Sequence, residues 1–138
     1  MSGTEFEVRP MRASDVKRVV ALEREIFPDP WSREAFRREV DAPGVGWTRV
    51  AEDPDTGELI GYLIAWFVFD EVHLANIAVA EPARRHGVAQ RLLDELETEG
   101  RRRNARFIIL EVRRSNAAAR RLYERNDYHT VDVRKGYY

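Results

Sequence analysis

Apolar residues recur along this chain with two spacings, every second residue in some stretches and every third or fourth in others. The switches between them outline its elements. Residues 6–9 alternate and predict a first strand. A helix follows, with Ser14 as its cap and Asp15 in its first turn; Val16, Val19, Val20, Leu22 and Ile26 give it a broad apolar face. Pro28-Asp29-Pro30 stops it. Ser32 can cap a second, short helix carrying Phe36 and Val40 four residues apart, and Pro43-Gly44 ends that one. Strands are predicted at 47–52, 59–69 and 72–80. The first two are joined by Asp53-Pro54-Asp55-Thr56-Gly57, a turn in which Pro presets φ and Gly accepts a positive one. A third helix carries Val88, Ala89, Leu92, Leu93 and Leu96 on one face, with Gly100 as its C-cap. Residues 107–112, apolar apart from Glu111, read as a strand; Ser115 caps a last helix to about 125, and 128–134 alternate as a final strand.

The order is therefore β-α-α-β-β-β-α-β-α-β, an α/β (α+β) pattern. Antiparallel strands come first. The strand–helix–strand crossover at the centre makes 72–80 and 107–112 parallel, with a right-handed connection. At 138 residues the chain is long enough for one domain, 1–138, with a core that needs no staples.

Charge and composition narrow the chemistry. The 23 basic and 24 acidic residues nearly cancel, so nothing pulls the chain globally toward nucleic acid or membrane, and any anion site must be local. All the basic residues are Arg except Lys17 and Lys135. The absence of cysteine excludes a disulfide framework, a thiolate zinc site and a cysteine nucleophile. His73, His86 and His129 are scattered without metal-ligand spacing, so no metal is expected. No basic face interleaved with aromatics suggests an RNA-binding module. There is no basic-then-apolar leader and no long apolar run, so a soluble, cytoplasmic protein is expected.

The most informative stretch is 74–96, an apolar strand, a short basic loop and an amphipathic helix. The loop Arg84-Arg85-His86-Gly87-Val88-Ala89 has the pattern R-x-x-G-x-A. Several main-chain N–H groups and the positive end of the following helix converge there, an arrangement suited to a pyrophosphate. Gly87 would let the backbone approach the anion, Ala89 would keep the helix start uncrowded, and Arg84 and Arg85 add charge at the rim.

Two residues stand out by their chemistry. Glu111 falls on the face of Phe107 and Ile109 at the end of its strand. A carboxylate there is expected to be partly desolvated, with a raised pKa, and so able to take a proton from an amine. Tyr123 shares a helix face with Ala119, and a phenol that stays protonated at neutral pH can donate that proton. Neither a cysteine nor a G-x-S-x-G motif is present to supply a covalent intermediate.

The element order and the R-x-x-G-x-A loop resemble the GCN5-related N-acetyltransferases. Four further motifs are similar to those of the ribosomal-protein alanine N-acetyltransferases: Pro30-Trp31-Ser32; Asp70-Glu71 with Asn76-Ile77-Ala78-Val79; Leu110-Glu111-Val112-Arg113 with Ser115-Asn116-Ala117-Ala118-Ala119; and Leu122-Tyr123-Glu124. The resemblance implies a mixed, mostly antiparallel sheet flanked by about four helices, with a splayed parallel strand pair. Acetyl-coenzyme A would be the cosubstrate, and the acceptor the N-terminal amine of a protein, most plausibly an alanine on a small-subunit ribosomal protein. It further implies that Arg85, His86, Gly87, Val88, Ala89 and Gln90 hold the pyrophosphate. Main-chain groups around Ile77, Ala78 and Val79 would pair with the pantetheine arm, and Asn116 would contact the coenzyme. Glu111 takes the position of the general base, and Tyr123 would be the general acid that donates to the departing coenzyme thiolate. With no cysteine nucleophile, direct transfer in a ternary complex is simpler than a covalent acyl-enzyme. Trp31 and Ser32 would border the acceptor groove, with Asp70, Glu71, Asn76 and Tyr138 as further acceptor contacts.

The family's pattern continues through one more strand after Tyr138, so the segment at 128–134 is expected to lack its hairpin partner and offer an edge for weak dimerisation of an otherwise monomeric protein. In Asn126-Asp127-Tyr128, where relatives favour Leu-Gly-Phe, Asn126 is expected to tolerate the left-handed conformation of a helix end. Other protein N-termini, small-molecule amines, or a silent coenzyme-binding role for the same fold remain open at this level.

Overall fold

The strands form a single sheet in the order β1 (Glu7–Arg9), β2 (Gly46–Glu52), β3 (Leu59–Val68), β4 (Glu71–Val79) and β5 (Phe107–Leu110). The computed structural model describes residues 6–41, 44–84 and 86–128, and the predicted last strand falls beyond them from residue 129 on. All neighbours are antiparallel except β4 and β5, which are parallel. Helices α1 (Val16–Ile26) and α2 (Arg33–Asp41) cover one face, where Val19, Phe36, Tyr62 and Ile64 pack together. Helices α3 (Val88–Arg102) and α4 (Ala117–Arg125) cover the other, where Leu92, Leu93, Leu96, Leu122 and Tyr123 meet Leu63, Val72 and Leu74. Alternation along β3 and β4 feeds both layers, since successive side chains of a strand point to opposite faces.

The central event in the sheet is the behaviour of β4. Its register with β3 slips at Ala75, so that Ile64 faces Asn76 while Ala65 faces Leu74. An extra residue of this kind bends its strand and increases the local twist. The ladder from β4 to β5 runs only from Glu71 to Leu74, extended by the Glu111 N–H donating to the Leu74 carbonyl at 3.3 Å. Beyond the bulge β4 continues four residues, to Val79, without β5. The splayed parallel pair is thus present, and it opens where the bulge lies.

Several helix ends differ from expectation for one reason. Gly100 lies inside α3, where its buried position leaves room against Val72, and the helix runs on to Arg102. Asn104 instead adopts φ 59°, with the Asn104 N–H on the Arg101 carbonyl (3.1 Å) and the Ala105 N–H on that of Gly100 (2.8 Å). That is a Schellman end with Asn in the glycine position. Helix α4 ends the same way: Asp127, not Asn126, takes the left-handed conformation (φ 65°), and the Tyr128 N–H returns to the Tyr123 carbonyl at 3.0 Å. At the start of α4 the cap is Asn116, whose Oδ1 accepts from the Ala119 N–H at 3.0 Å, so Ser115 does not cap it. Ser32 does accept from the Ala35 N–H at the start of α2.

Before α1, a 3₁₀ turn at Ala13–Asp15 replaces the expected Ser14 cap, and Asp15 accepts the Arg12 N–H at 2.8 Å. Asp15 is almost fully buried and also receives Arg9 at 2.7 Å and Arg18 at 2.8 Å. Burial alone would push its carboxyl up. The hydrogen bonds from Arg9, Arg12 and Arg18 outweigh that and hold it well below the usual carboxylate range. A depressed folded-state pKa contributes stability that is present above the unfolded value near about 4 and is lost progressively as pH falls from there through the lower folded-state value. Asp15→Asn is therefore expected to lower unfolding stability at pH 7 by roughly 3 kcal/mol, since it takes the buried carboxylate from Arg9 and Arg18 and leaves them Glu52, at 3.4 and 3.2 Å, as their remaining acid. It should also flatten the acid decline in denaturation midpoints measured between about pH 5 and 3.

Candidate active site

The opening between β4 and the β5–α4 region is a cleft of about 850 Å³. One wall is the end of β4, Ile77–Val79. The floor and far side come from the start of α3 (Val88, Ala89, Gln90) and from α4 (Ala118, Ala119, Leu122). Ile26 and Phe27 close the end nearest α1. Nearly all the residues predicted from the strand–loop–helix stretch meet here, Arg84 and Gly87 among them, and Asn116 joins them from the start of α4.

The main chain along this edge is partly engaged. Asn116 donates from Nδ2 to the Ile77 carbonyl at 3.2 Å, so this one side chain caps α4 and bridges to β4. The Val79 carbonyl accepts from Arg84 Nε at 3.0 Å. A strand residue points its N–H and C=O the same way, so the N–H groups of Ile77 and Val79 also face the gap that β5 has left. The two carbonyls have side-chain partners, and an extended ligand could take the donors between them.

The loop ahead of α3 leaves the helix N-terminus open. Gly87 precedes the helix at φ 81°, a left-handed conformation, and an added Cβ would meet nothing within 4 Å. The glycine is thus needed for its backbone conformation, and the space a side chain would fill stands open at the helix N-terminus. Val88 is pinned in the core behind it. His86 is half-buried in the turn, and Arg85 lies outside the described residues, as does Tyr138. Gln90 is locked in a reciprocal pair with Asn126, each amide nitrogen 2.9 Å from the other's oxygen, tying α3 to α4 across the cleft. Arg84, Arg121 and Arg125 line the opening against a single acid, Glu81, which makes it cationic.

Tyr123 is buried against Leu122 and Ala119, with its ring edge-on to Tyr128 at 6.1 Å. Burial raises its pKa, so the phenol holds its proton at neutral pH. Its hydroxyl has no hydrogen-bond partner among the described residues. A buried hydroxyl left unpaired costs about 1–3 kcal/mol, and such groups call for a ligand or a function.

Other sequence expectations are corrected. Glu111 is exposed rather than half-buried, because the face it shares with Phe107 (57% exposed) and Ile109 (37%) is left uncovered by α1 and α2. Desolvation therefore gives no account of its chemistry, and its placement just past the end of β5 is what remains. Asn76 is buried and donates to Glu23 Oε1 at 3.0 Å, so it is not presented to a substrate. Asp70 and Glu71 lie at the opposite end of β4 from the cleft, roughly 25 Å away along the strand. Asp70 accepts the Arg106 N–H, and Glu71 sits 3.5 Å from His73. Trp31 packs tilted on Phe36 at 5.3 Å, its N–H donating to Glu23, and Ser32 is spent on capping α2.

Sequence reading missed Glu23, which is fully buried in α1 and receives four hydrogen-bond donors. The signal was present: position 23 falls on the stripe of Val16, Val19 and Val20, where a charge has no place unless it is paired. Among the described residues no group of three or more His, Asp or Glu could hold a metal ion, and no helix is long and apolar enough to cross a membrane.

A helix start led by a left-handed glycine and facing a gap between parallel strands fits an extended, phosphate-bearing acyl donor, while Tyr123 and Glu111 are not among the residues that line the gap. In agreement, the profile of the acetyltransferase (GNAT) family matches residues 16–128, and the chain belongs to this family of acetyltransferases. Among its relatives is a putative ribosomal protein bS18-alanine N-acetyltransferase of Bacillus subtilis, 31% identical over 136 residues that cover 98% of this chain and 88% of the relative. The crystal structure of the ribosomal-protein-S18-alanine N-acetyltransferase from Escherichia coli superposes with a TM-score of 0.83 at 28% identity, covering 97% of this chain and 84% of that one. Arabidopsis thaliana NAA60, solved in complex with acetyl-CoA, gives 0.83 at 25% identity, covering 97% and 90%.

Gly87→Ala places a Cβ on a left-handed residue, so a loss of about 1 kcal/mol in denaturant unfolding is expected, without disturbance of the core behind it.

Proposed function

We propose that this protein is an N-α-acetyltransferase that uses acetyl-CoA and acylates the N-terminal alanine of ribosomal protein bS18, by direct transfer in a ternary complex. The observation that carries the reading is the cleft that opens where β4 parts from β5, lined by the start of α3 and by Ala119 and Leu122 of α4, the helix that also holds the orphaned Tyr123 hydroxyl. The names of the bacterial relatives support the acceptor, and the acetyl-CoA complex of the plant neighbour supports the donor. An acceptor of this kind is met in the cytoplasm.

The residues divide the work by position. The N–H groups of Val88, Ala89 and Gln90, with Arg84 and Gly87, would hold the pyrophosphate at the positive end of α3. The N–H groups of Ile77 and Val79 would pair with the pantetheine arm. When bound, acetyl-CoA supplies the activated acetyl group as a thioester. An N-terminal amine is largely protonated at neutral pH and must lose that proton to attack. Glu111, at the end of β5, is the acceptor for it, and an exposed carboxylate can act through one water. Tyr123 keeps its proton under the same conditions and can deliver it to the sulfur that departs.

Tyr123→Phe separates this role from a packing role by the sign of two effects. The variant should unfold at the same or slightly higher temperature, because an unsatisfied buried hydroxyl is removed. Its kcat for an acceptor peptide beginning with Ala should fall about a hundredfold, and Glu111→Gln should cost a similar factor. Parental turnover in both variants would overturn the assignment of roles. An absence of heat on titrating the parent with acetyl-CoA would overturn the function. In a panel of peptides beginning with Ala, Ser or Met beside polyamines, preference for anything other than the Ala peptide would overturn the acceptor.

A further inference from the structure

The buried carboxylate of Glu23 is the group the reaction above leaves unused. Its Oε1 accepts from the Tyr62 hydroxyl and from Asn76 Nδ2 at 3.0 Å. Its Oε2 accepts from the Trp31 N–H at 2.8 Å and from Arg113 Nη2 at 2.5 Å. The donors come from β3, β4, the α1–α2 connection and the β5–α4 connection, so one side chain joins four segments around the cleft. Each oxygen meets two donors, and only an acceptor-only group satisfies all four. A glutamine turned either way would point its amide hydrogens at two other donors.

Arg113 is the arm of this hub that reaches the reaction. It lies two residues after Glu111, stacks on Phe27 with its guanidinium 4.0 Å from the ring centre, and also donates to the Asp29 carbonyl at 3.1 Å. Phe27 and Ile26 form the cleft's end wall. Beyond Leu110 the chain is tied to the sheet by the Glu111 N–H on Leu74 and by Asn116 on the Ile77 carbonyl. Arg113 and Ser115 reach Asp29 at 3.7 and 3.4 Å, and it is Arg113 that reaches the buried carboxylate of α1.

We infer that Glu23 is a positioning residue that acts through Arg113, holding the strand end that carries Glu111 in register with the α1–α2 wall of the cleft. The inference rests on the function proposed above for its kinetic consequence and on the hydrogen bonds alone for its structural one.

The test compares the parent with Glu23→Gln, Arg113→Gln, the double variant and Asp15→Asn. The last is a matched control, an equally buried carboxylate bonded to two arginines far from the cleft. Amide hydrogen exchange is followed at residues 27–32 and 110–116, alongside kcat and KM for the Ala peptide and calorimetric affinity for acetyl-CoA. In Glu23→Gln and Arg113→Gln, exchange should rise in both segments together. Loss of alignment should lower kcat about tenfold or more, with acetyl-CoA affinity within about threefold of the parent. The double variant should lose no more than the worse single, as expected for two residues acting as one unit. Asp15→Asn should lose stability while keeping parental exchange at both segments and kcat within about twofold.

Parental exchange at 110–116 in Glu23→Gln would overturn the proposal, as would single losses that multiply in the double variant, or a kcat loss matched by Asp15→Asn. Should Glu23→Gln fail to fold, Arg113→Gln, altered at the half-buried end of the link, carries the same comparison. A parent without turnover whose Glu23→Gln variant still loosens both segments would sink the proposed reaction and leave the positioning intact, so the two failures are told apart.

Discussion

Everything distinctive in this molecule follows from strand β4 losing one neighbour halfway along. Up to Leu74 it is hydrogen-bonded on both sides; past the bulge at Ala75 it keeps β3 and gives up β5. Unpaired main-chain groups in a protein interior are costly, and a sheet that parts in its middle needs compensation. The compensation is visible in Asn116 and Arg84, which supply side-chain donors to the carbonyls of Ile77 and Val79. The carbonyls of Ile77 and Val79 are satisfied, and strand geometry turns their N–H groups toward the cleft. A wedge built this way selects for a ligand rich in acceptors.

The cleft is kept open by ties at its rim. Gln90 and Asn126 fix α3 against α4 at one end, while Glu23 and Arg113 fix α1 against the β5–α4 connection at the other. A buried ion pair is a weak source of net stability, because desolvation cancels much of its attraction, but losing one partner is expensive. The Glu23 hub therefore contributes more to geometry than to stability, and that geometry is what the acyl-transfer chemistry of this family requires of its scaffold.

Much of this was legible in the residues. The stretch from 74 to 96 could be read because its period changes from two to 3.6 across a basic loop, and because Gly87 sits where a left-handed turn must precede the helix. The parallel pairing followed from the crossover alone. What escaped was set by distance in sequence or by coverage in space. Glu23 bonds residues 39, 53 and 90 positions away, and no local pattern announces such partners. Glu111 was expected to be half-buried because its strand is apolar, but burial depends on which helix reaches that face, and none of those described does. The helix ends at Asn104 and Asp127 were missed because residues other than glycine occupy the left-handed position, where a short polar side chain reduces the steric penalty.

Arginine supplies the cation in the ion pairs around Asp15, Glu23, Glu95 and Glu99. A guanidinium keeps its proton and offers no free lone pair, whereas an ammonium that loses its proton becomes a nucleophile. Acetyltransferases of this family act with an activated acyl thioester, and these 138 residues carry two lysines, Lys17 and Lys135. The cations paired with these four carboxylates are thus groups that such a thioester does not acylate.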